Sequence, residues 1–257
     1  MSLEACAALV ERGDPDRFAA TMAAAPPARA ALWPLYAFNL EVARAPWVTE
    51  EPMIAEMRLQ WWRDAVADIA TGAAVRSHEV VTPLAQLVRD RALPVALLDA
   101  LAAARQWDIY RAAFADGPAF VAHLDATAGH LMWLAALALG APAAAEPVVR
   151  DIAFAQGLAN WLRAVPALEA RGRLPLVDGR ADAVKALAET GLARLAQARA
   201  RRALLGQAGA ALLPGWQAGP LLRRVVADPM VVAEGRMATS EFARRGGLLW
   251  QAMTGRF

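Results

Sequence analysis

The sequence predicts one all-α domain that spans residues 1–257. Apolar residues recur with a helical period along almost the whole chain. Strand signals are sparse, because β-branched pairs such as Val80-Val81 are not continued by an alternating pattern. No repeat, low-complexity linker or shift in composition marks a domain boundary, and the length suits one large helical domain.

Proline and glycine mark where most of the predicted helices begin and end. Pro83, Pro94 and Pro118 suit the first turn of a helix, and Gly72 ends one. A polar break is predicted over residues 169–179. The predicted helices are 17–44, with a break near Pro26 and Pro27, then 52–70, 83–91, 94–110, 117–140, 147–165, 181–205, 220–226 and 232–254.

One stretch, residues 131–145, is almost wholly apolar. It is shorter than the roughly 20 residues that span a bilayer, and Gly140 and Pro142 interrupt it. We therefore expect a buried core helix there, with a peripheral membrane contact as the alternative.

Composition narrows the classes of function. Hydrophobic residues make up 58% of the chain, which is enough for a core and argues against disorder. The net charge is +2 and no dense basic cluster occurs, so we expect no nucleic-acid partner. Cys6 is the only cysteine, which excludes an intrachain disulfide and a cysteine-based zinc site. With no signal-peptide pattern at the N-terminus, we expect a cytoplasmic protein.

Three short segments carry a family resemblance. Residues 35–38 read LYAF, residues 123–129 read HLDATAG, and residues 160–165 read NWLRAV, followed by RGRL at 171–174. In order and spacing, these segments resemble the squalene/phytoene synthase family over roughly residues 15–255. The resemblance implies a single-domain helical bundle of the isoprenoid-synthase type with a central apolar cavity.

The resemblance also shows a loss. Members of the family carry two pairs of aspartates spaced i and i+4, a spacing that places each pair on one helix face. These carboxylates hold the magnesium ions that clamp the substrate diphosphates. The corresponding positions here are Ala43 and Trp47, then Ala164 and Leu168. We therefore expect no catalytic residues, no metal site and no cofactor, with magnesium only under an alternative in which the chain is an active prenyltransferase.

Other residues near these motifs are candidates for lining the cavity or binding an anion. Arg58 and Arg63 could bind a diphosphate or an anionic headgroup, or lie at the rim of an amphipathic helix. The arginines after the third segment could keep an anion site, or cap the end of a helix. The full candidate set is Tyr36, Phe38, Glu41, Arg44, Arg58, Arg63, Asn160, Arg163, Arg171 and Arg173.

An active enzyme would need replacement carboxylates for the metal. Glu41, Glu56, Asp64 and Asp68 are the nearest in sequence, and the last two form an i, i+4 pair. The alternative for that pair is a solvated helix face, which we favour.

The function that the resemblance implies is non-catalytic. Glu41 and Arg44 follow the Tyr-Ala-Phe-Asn run, as in a divergent branch related to a mitochondrial protein required for assembly of respiratory complex I. The expected role is aiding assembly of NADH dehydrogenase, through a respiratory-complex subunit or through an isoprenoid or lipid ligand. A divergent prenyl-diphosphate transferase is the alternative. The tail, residues 241–257, is basic and amphipathic, which suits either a docked terminal helix or peripheral contact with the inner membrane.

Overall fold

The computed structural model describes residues 3–255, which form an all-α bundle without strands in that range. Short 3₁₀ segments connect several of the helices, and residues 202–215 form the longest of them. The α-helices are α1 (Leu3–Gly13), α2 (Pro15–Met22), α3 (Pro26–Arg44), α4 (Pro52–Thr71), α5 (Val81–Arg91), α6 (Val95–Ala104), α7 (Gly117–Leu124), α8 (His130–Ala138), α9 (Glu146–Glu169), α10 (Ala181–Ala200), α11 (Ala218–Ala227), α12 (Met230–Ala233) and α13 (Glu241–Thr254).

Most predicted helices are confirmed, and the differences have local causes. The break near Pro26 is present, since α2 ends at Met22 and α3 begins at that proline. The prediction of a single helix over 232–254 is wrong. It is replaced by α12 and α13, because Gly235 adopts a positive φ of 67° that ends the first of them. The helix predicted to reach residue 205 ends at Ala200.

Helices α3 and α9 form the centre of the bundle. Helix α8 packs on both, while α9 also contacts α7, α10, α11 and α12. The apolar stretch predicted as a core helix is largely α8, and seven of its nine residues are buried. Within residues 3–255, every helix is too short or too polar to cross a membrane.

Helix α1 was not predicted, and it packs against α3. It buries Cys6 and Val10 completely, and these residues lie one turn apart on one face. The Cys6 thiol donates to the Glu79 carbonyl oxygen over 3.5 Å. Burial, reinforced by the charge of Glu79, raises the pKa of the thiol to about 11. The N-terminal helix is therefore part of the core.

Helix α13 covers the bundle with one face only. Leu248 and Gln251 are buried, and the indole of Trp216 donates to the Arg244 carbonyl oxygen over 3.0 Å. Large apolar side chains remain exposed on the same helix, so its outer face is not polar; they are Phe242, Leu249, Trp250 and Met253. The tail residues Arg256 and Phe257, part of the predicted amphipathic segment, lie outside the described residues.

Candidate functional site

A cavity of about 360 Å³ lies between α3, α9 and the junction of α7 with α8. We call it the motif cavity, because Ala43 and Trp47 line it from one side and Ala164 and Leu168 from the other. The four positions that correspond to the family's aspartates therefore do share one space. Trp47 and Leu168 narrow this space without filling it. None of the four side chains offers an oxygen ligand.

The one carboxylate among the described lining residues is that of Asp108. Its Oδ2 lies 3.8 Å from Arg105 Nη1 and has no hydrogen-bond partner. Burial raises the pKa of this carboxyl to about 6, although the charges of Arg105 and Arg173 oppose the shift. Magnesium needs several oxygen ligands in an octahedral arrangement. A single buried carboxylate beside a guanidinium does not supply them, so the residues of the motif cavity do not fit magnesium.

The carboxylates considered as replacement ligands lie elsewhere. Asp68 is 3.1 Å and Asp64 is 4.0 Å from the Arg76 guanidinium. Glu56 accepts a hydrogen bond from a tyrosine hydroxyl, and Glu41 lines a different cleft. Across residues 3–255, no group of three or more His, Cys, Asp or Glu side chains could hold a metal ion.

The motif cavity is rich in guanidinium groups. Arg17, Arg105 and Arg171 line it. The Arg17 guanidinium lies 4.9 Å from the centre of the Tyr36 ring, and Arg105 Nη2 donates to Asn39 Oδ1 over 3.4 Å. Desolvation lowers the pKa of Arg105, and the nearby charge of Arg17 acts in the same direction. Arg17 is paired with Asp14 at 3.1 Å and Arg105 lies 3.8 Å from Asp108, whereas Arg171 has no carboxylate partner among residues 3–255 and is the cation best placed to meet an anion.

Trp47 is held by two arginines that follow α9. The guanidinium groups of Arg171 and Arg173 lie 4.7 and 5.3 Å from the centre of a Trp47 ring. Arg173 is itself buried and donates to the carbonyl oxygens of Asp108, over 2.6 Å, and Ile109, over 3.2 Å. These bonds tie the chain after α9 to the end of the 3₁₀ turn after α6, which favours the structural alternative for Arg173.

An aromatic cluster closes one wall of the motif cavity. The ring centre of His123 lies 5.1 Å from that of Trp161, 5.3 Å from Phe114 and 5.7 Å from Trp107. Burial, helped by the charge of Arg105, lowers the pKa of His123 to about 3. Its Nε2 has no hydrogen-bond partner among the described residues, so this histidine is neutral near pH 7.

A π-helical turn, Asp125–Gly129, joins α7 to α8. It directs Thr127 and Ala128 toward the motif cavity. Asp125 points away and accepts hydrogen bonds from Arg150 over 3.0 and 3.1 Å. Such turns are frequent at functional sites.

The predicted candidates fall into three places. Asn160 and Arg171 line the motif cavity. Glu41, Arg44 and Arg58 line a separate cleft of about 430 Å³ at the start of α4, beside the tandem tryptophans.

The remaining candidates line neither of these spaces. Phe38 is fully buried in the core, and Tyr36 is buried beneath Arg17 with its hydroxyl unpartnered. Arg63 makes two hydrogen bonds to the carboxylate of Asp99, over 2.7 and 3.0 Å. Arg163 pairs with a carboxylate of α2 at 3.4 Å.

Several lining residues were missed from the sequence. Arg105 and Asp108 stand three residues apart at the end of an otherwise apolar helix, which is a usable signal for a buried polar site. Arg17 and Asn39 gave no comparable signal, because single polar residues at such positions are common on helix surfaces.

Comparisons with known proteins bear on the family and the fold of the chain. A family model described as "Squalene/phytoene synthase" matches residues 10–242. A crystal structure of a dehydrosqualene synthase in complex with ligand is similar, with a TM-score of 0.82 and 13% identity over 98% of this chain and 95% of that one. Squalene synthase HpnC from Alicyclobacillus acidocaldarius gives a TM-score of 0.74 and 14% identity, over 91% and 94% of the two chains. No curated protein sequence matches the chain.

Proposed function

Because the chain belongs to the squalene/phytoene synthase family, we propose that it keeps the family's bundle without the family's metal-dependent chemistry. Its motif cavity then binds an anionic isoprenoid or lipid instead of converting it. One observation carries this proposal: Ala43, Trp47, Ala164 and Leu168 meet at one cavity and supply no oxygen ligand. Without the metal clamp, departure of diphosphate has no Lewis acid to assist it.

The charges of the cavity support an anionic ligand. In the absence of a metal, guanidinium groups are the protein groups best suited to bind phosphate or carboxylate oxygens in pairs. Arg171 is solvent-exposed at the mouth of the cavity and forms no ion pair with any described residue. Arg105 lies deeper, beside Asn39. A ligand with its anionic head at the mouth and its apolar chain inside the cavity would contact both the polar and the apolar residues of the lining.

The first test separates binding from turnover. Purified protein is incubated with farnesyl diphosphate and magnesium, and release of diphosphate is measured. We expect no release, but binding that is detectable by calorimetry and unchanged when EDTA is added. Clear release that is lost in a variant of the motif cavity would overturn the proposal.

The same titration on two variants locates the site. Arg171→Met should weaken binding by roughly tenfold, as expected for loss of one charge-assisted contact. Arg89→Met is the control, because Arg89 is an exposed arginine of α5 that lines none of the cavities described above. Equal weakening by both variants would indicate diffuse charge attraction and contradict a site in the motif cavity.

The cellular role that we propose is aid to assembly of respiratory NADH dehydrogenase, through a subunit of that complex or a lipid. Its support is the resemblance of the segment with Glu41 and Arg44 to the branch linked to complex I assembly. Both residues lie in the cleft at the start of α4. A deletion strain should lose NADH dehydrogenase activity selectively. Loss of a carotenoid or hopanoid instead would favour the alternative, a divergent prenyl-diphosphate transferase.

We propose that the protein is cytoplasmic and that α13 contacts the inner membrane peripherally. The exposed apolar face of that helix supports the membrane contact, since Phe242 is 89% and Trp250 is 62% exposed. Aromatic side chains with an apolar body and nearby arginines suit a membrane interface. Binding to anionic liposomes should fall in the double variant F242S/W250S. Unchanged binding would remove α13 from the membrane contact.

A further inference from the structure

A second, larger cavity lies on another side of α7. It has a volume of about 720 Å³ and lies between α7, α9, α10 and the segment that follows α9. This volume is within the range of sites that bind small molecules. Its lining is mainly apolar, with Phe120, Val121, Phe154, Leu176 and Leu187 among the contributors. We call it the α10 pocket.

The α10 pocket is distinct from the motif cavity. Helix α7 and the π-helical turn after it present Leu124, Thr127 and Ala128 to the motif cavity. They present Val121 and Asp125 to the α10 pocket. No described residue lines both spaces, and the contact between Phe120 and Trp161, with ring centres 5.7 Å apart, lies between them.

The carboxylates that line the α10 pocket have ion-pair partners, whereas the arginine that lines it has none among the described residues. Asp125 is paired with Arg150 at 3.0 Å, and Asp178 is paired with Arg180 at 2.6 Å. Both carboxylates that line the pocket are thus paired with arginines outside its lining, and Arg150 also pairs with Glu146 at 2.9 Å. The cation of the pocket, Arg194, has no carboxylate within ion-pair distance among residues 3–255.

Arg194 is held where it can meet a ligand. Its guanidinium carbon lies 4.0 Å from the centre of the Phe154 ring, a cation–π contact that orients the group. The side chain is half-buried on α10, so the group lies at the border between the apolar lining and solvent. Stacking on a ring leaves the N–H edges of a guanidinium free to donate to two oxygens.

We propose that the α10 pocket binds an amphipathic anion, with a single apolar chain against Phe120, Leu176 and Leu187 and a carboxylate or phosphate head on Arg194. An apolar lining with one uncompensated cation at its edge matches this chemistry. A neutral chain would leave the guanidinium unpaired, and a second cation would be repelled. The ligand class thus follows from Arg194, the lining cation that has no carboxylate partner among residues 3–255.

Calorimetric titration of the full chain with dodecanoate, dodecyl phosphate and dodecanol tests this proposal. We expect both anions to bind at least tenfold more tightly than the alcohol, and the tighter of the two identifies the natural head group. Arg194→Met should remove this preference while the alcohol binds as before. Equal affinity for the anions and the alcohol, or an unchanged preference in R194M, would overturn the proposal.

Two further variants test whether binding depends on general charge attraction and whether it takes place in the α10 pocket. Lys185→Met removes the exposed lysine of the same helix, which does not line the pocket, and should leave anion binding unchanged. Ala183→Phe narrows the pocket at a half-buried position and should weaken binding of all three probes. Weakening by K185M equal to that by R194M would indicate general charge attraction. If Arg171→Met, in the motif cavity, abolished binding instead, the ligand would belong to the proposed function and not to this pocket.

Discussion

Replacement of His123 by phenylalanine should change how the stability of the protein depends on pH. The folded state holds this histidine with a pKa of about 3, against about 6.5 in an unfolded chain. Between these values the unfolded state binds a proton that the folded state does not. Wild-type stability therefore falls as the pH drops below about 6.5, and a phenylalanine at this position contributes no such loss.

The size of the effect follows from the difference between the two pKa values. At pH 4 the unfolded histidine lies about 2.5 pH units below its pKa, which corresponds to about 3 kcal/mol. Urea unfolding of wild type and H123F at pH 7 and pH 4 measures it. Relative to wild type, H123F should be more stable at pH 4 than at pH 7 by that amount.

A matched control lies in the same aromatic cluster. Phe120→Leu also changes a buried ring but adds or removes no titrating group, so its cost should be the same at both pH values. A free-energy difference between wild type and H123F that is constant within about 0.5 kcal/mol would refute the reasoning, because His123 would then be free to bind a proton in the folded state.

Three further predictions concern stability. Asp108→Asn should show the opposite pH trend, because the folded-state pKa of Asp108 is about 6 and its unfolded-state pKa is about 3.9. Between pH 4 and pH 7, wild type should therefore lose up to about 3 kcal/mol of stability relative to the variant. A stability difference in urea unfolding that does not change with pH would contradict this. Gly191→Ala should destabilise by about 1–2 kcal/mol in thermal unfolding, since its Cβ would lie 2.8 Å from buried Leu222 Cδ1. The control Gly246→Ala meets no atom within 4 Å and should stabilise by about 0.5–1 kcal/mol; the reverse order would be inconsistent with this packing. Arg63→Met, which breaks a half-exposed ion pair, should cost no more than about 1 kcal/mol in urea unfolding, and a larger loss would indicate a role beyond that pair.

The helical content could be predicted because apolar periodicity and proline positions act locally. Helix α1 escaped prediction because no proline marks its first turn, although its buried and exposed faces are distinct. The division between α12 and α13 depends on the positive φ of Gly235, which residue type permits but does not require. The long 3₁₀ segment after α10 contains Gly206 with non-helical angles, which is equally hard to foresee.

The candidate site was predictable where it follows from the family resemblance. Positions 43, 47, 164 and 168 were assigned to one space by resemblance, and their side chains do line the motif cavity. The direction of an arginine side chain is set by packing between distant helices. Arg63 was a candidate but pairs with a carboxylate of α6, whereas Arg105 was not a candidate but lines the cavity. Sequence alone distinguishes these two outcomes poorly.

The thiol of Cys6 can report how often the N-terminal helix opens. It is the sole cysteine of the chain, it is fully shielded between α1 and its neighbours, and its raised pKa keeps it protonated at neutral pH. A thiol-reactive dye can therefore label it only when the N-terminal helix detaches. The labelling rate, compared with that of the unfolded chain, would report how often the helix opens, with no engineered probe.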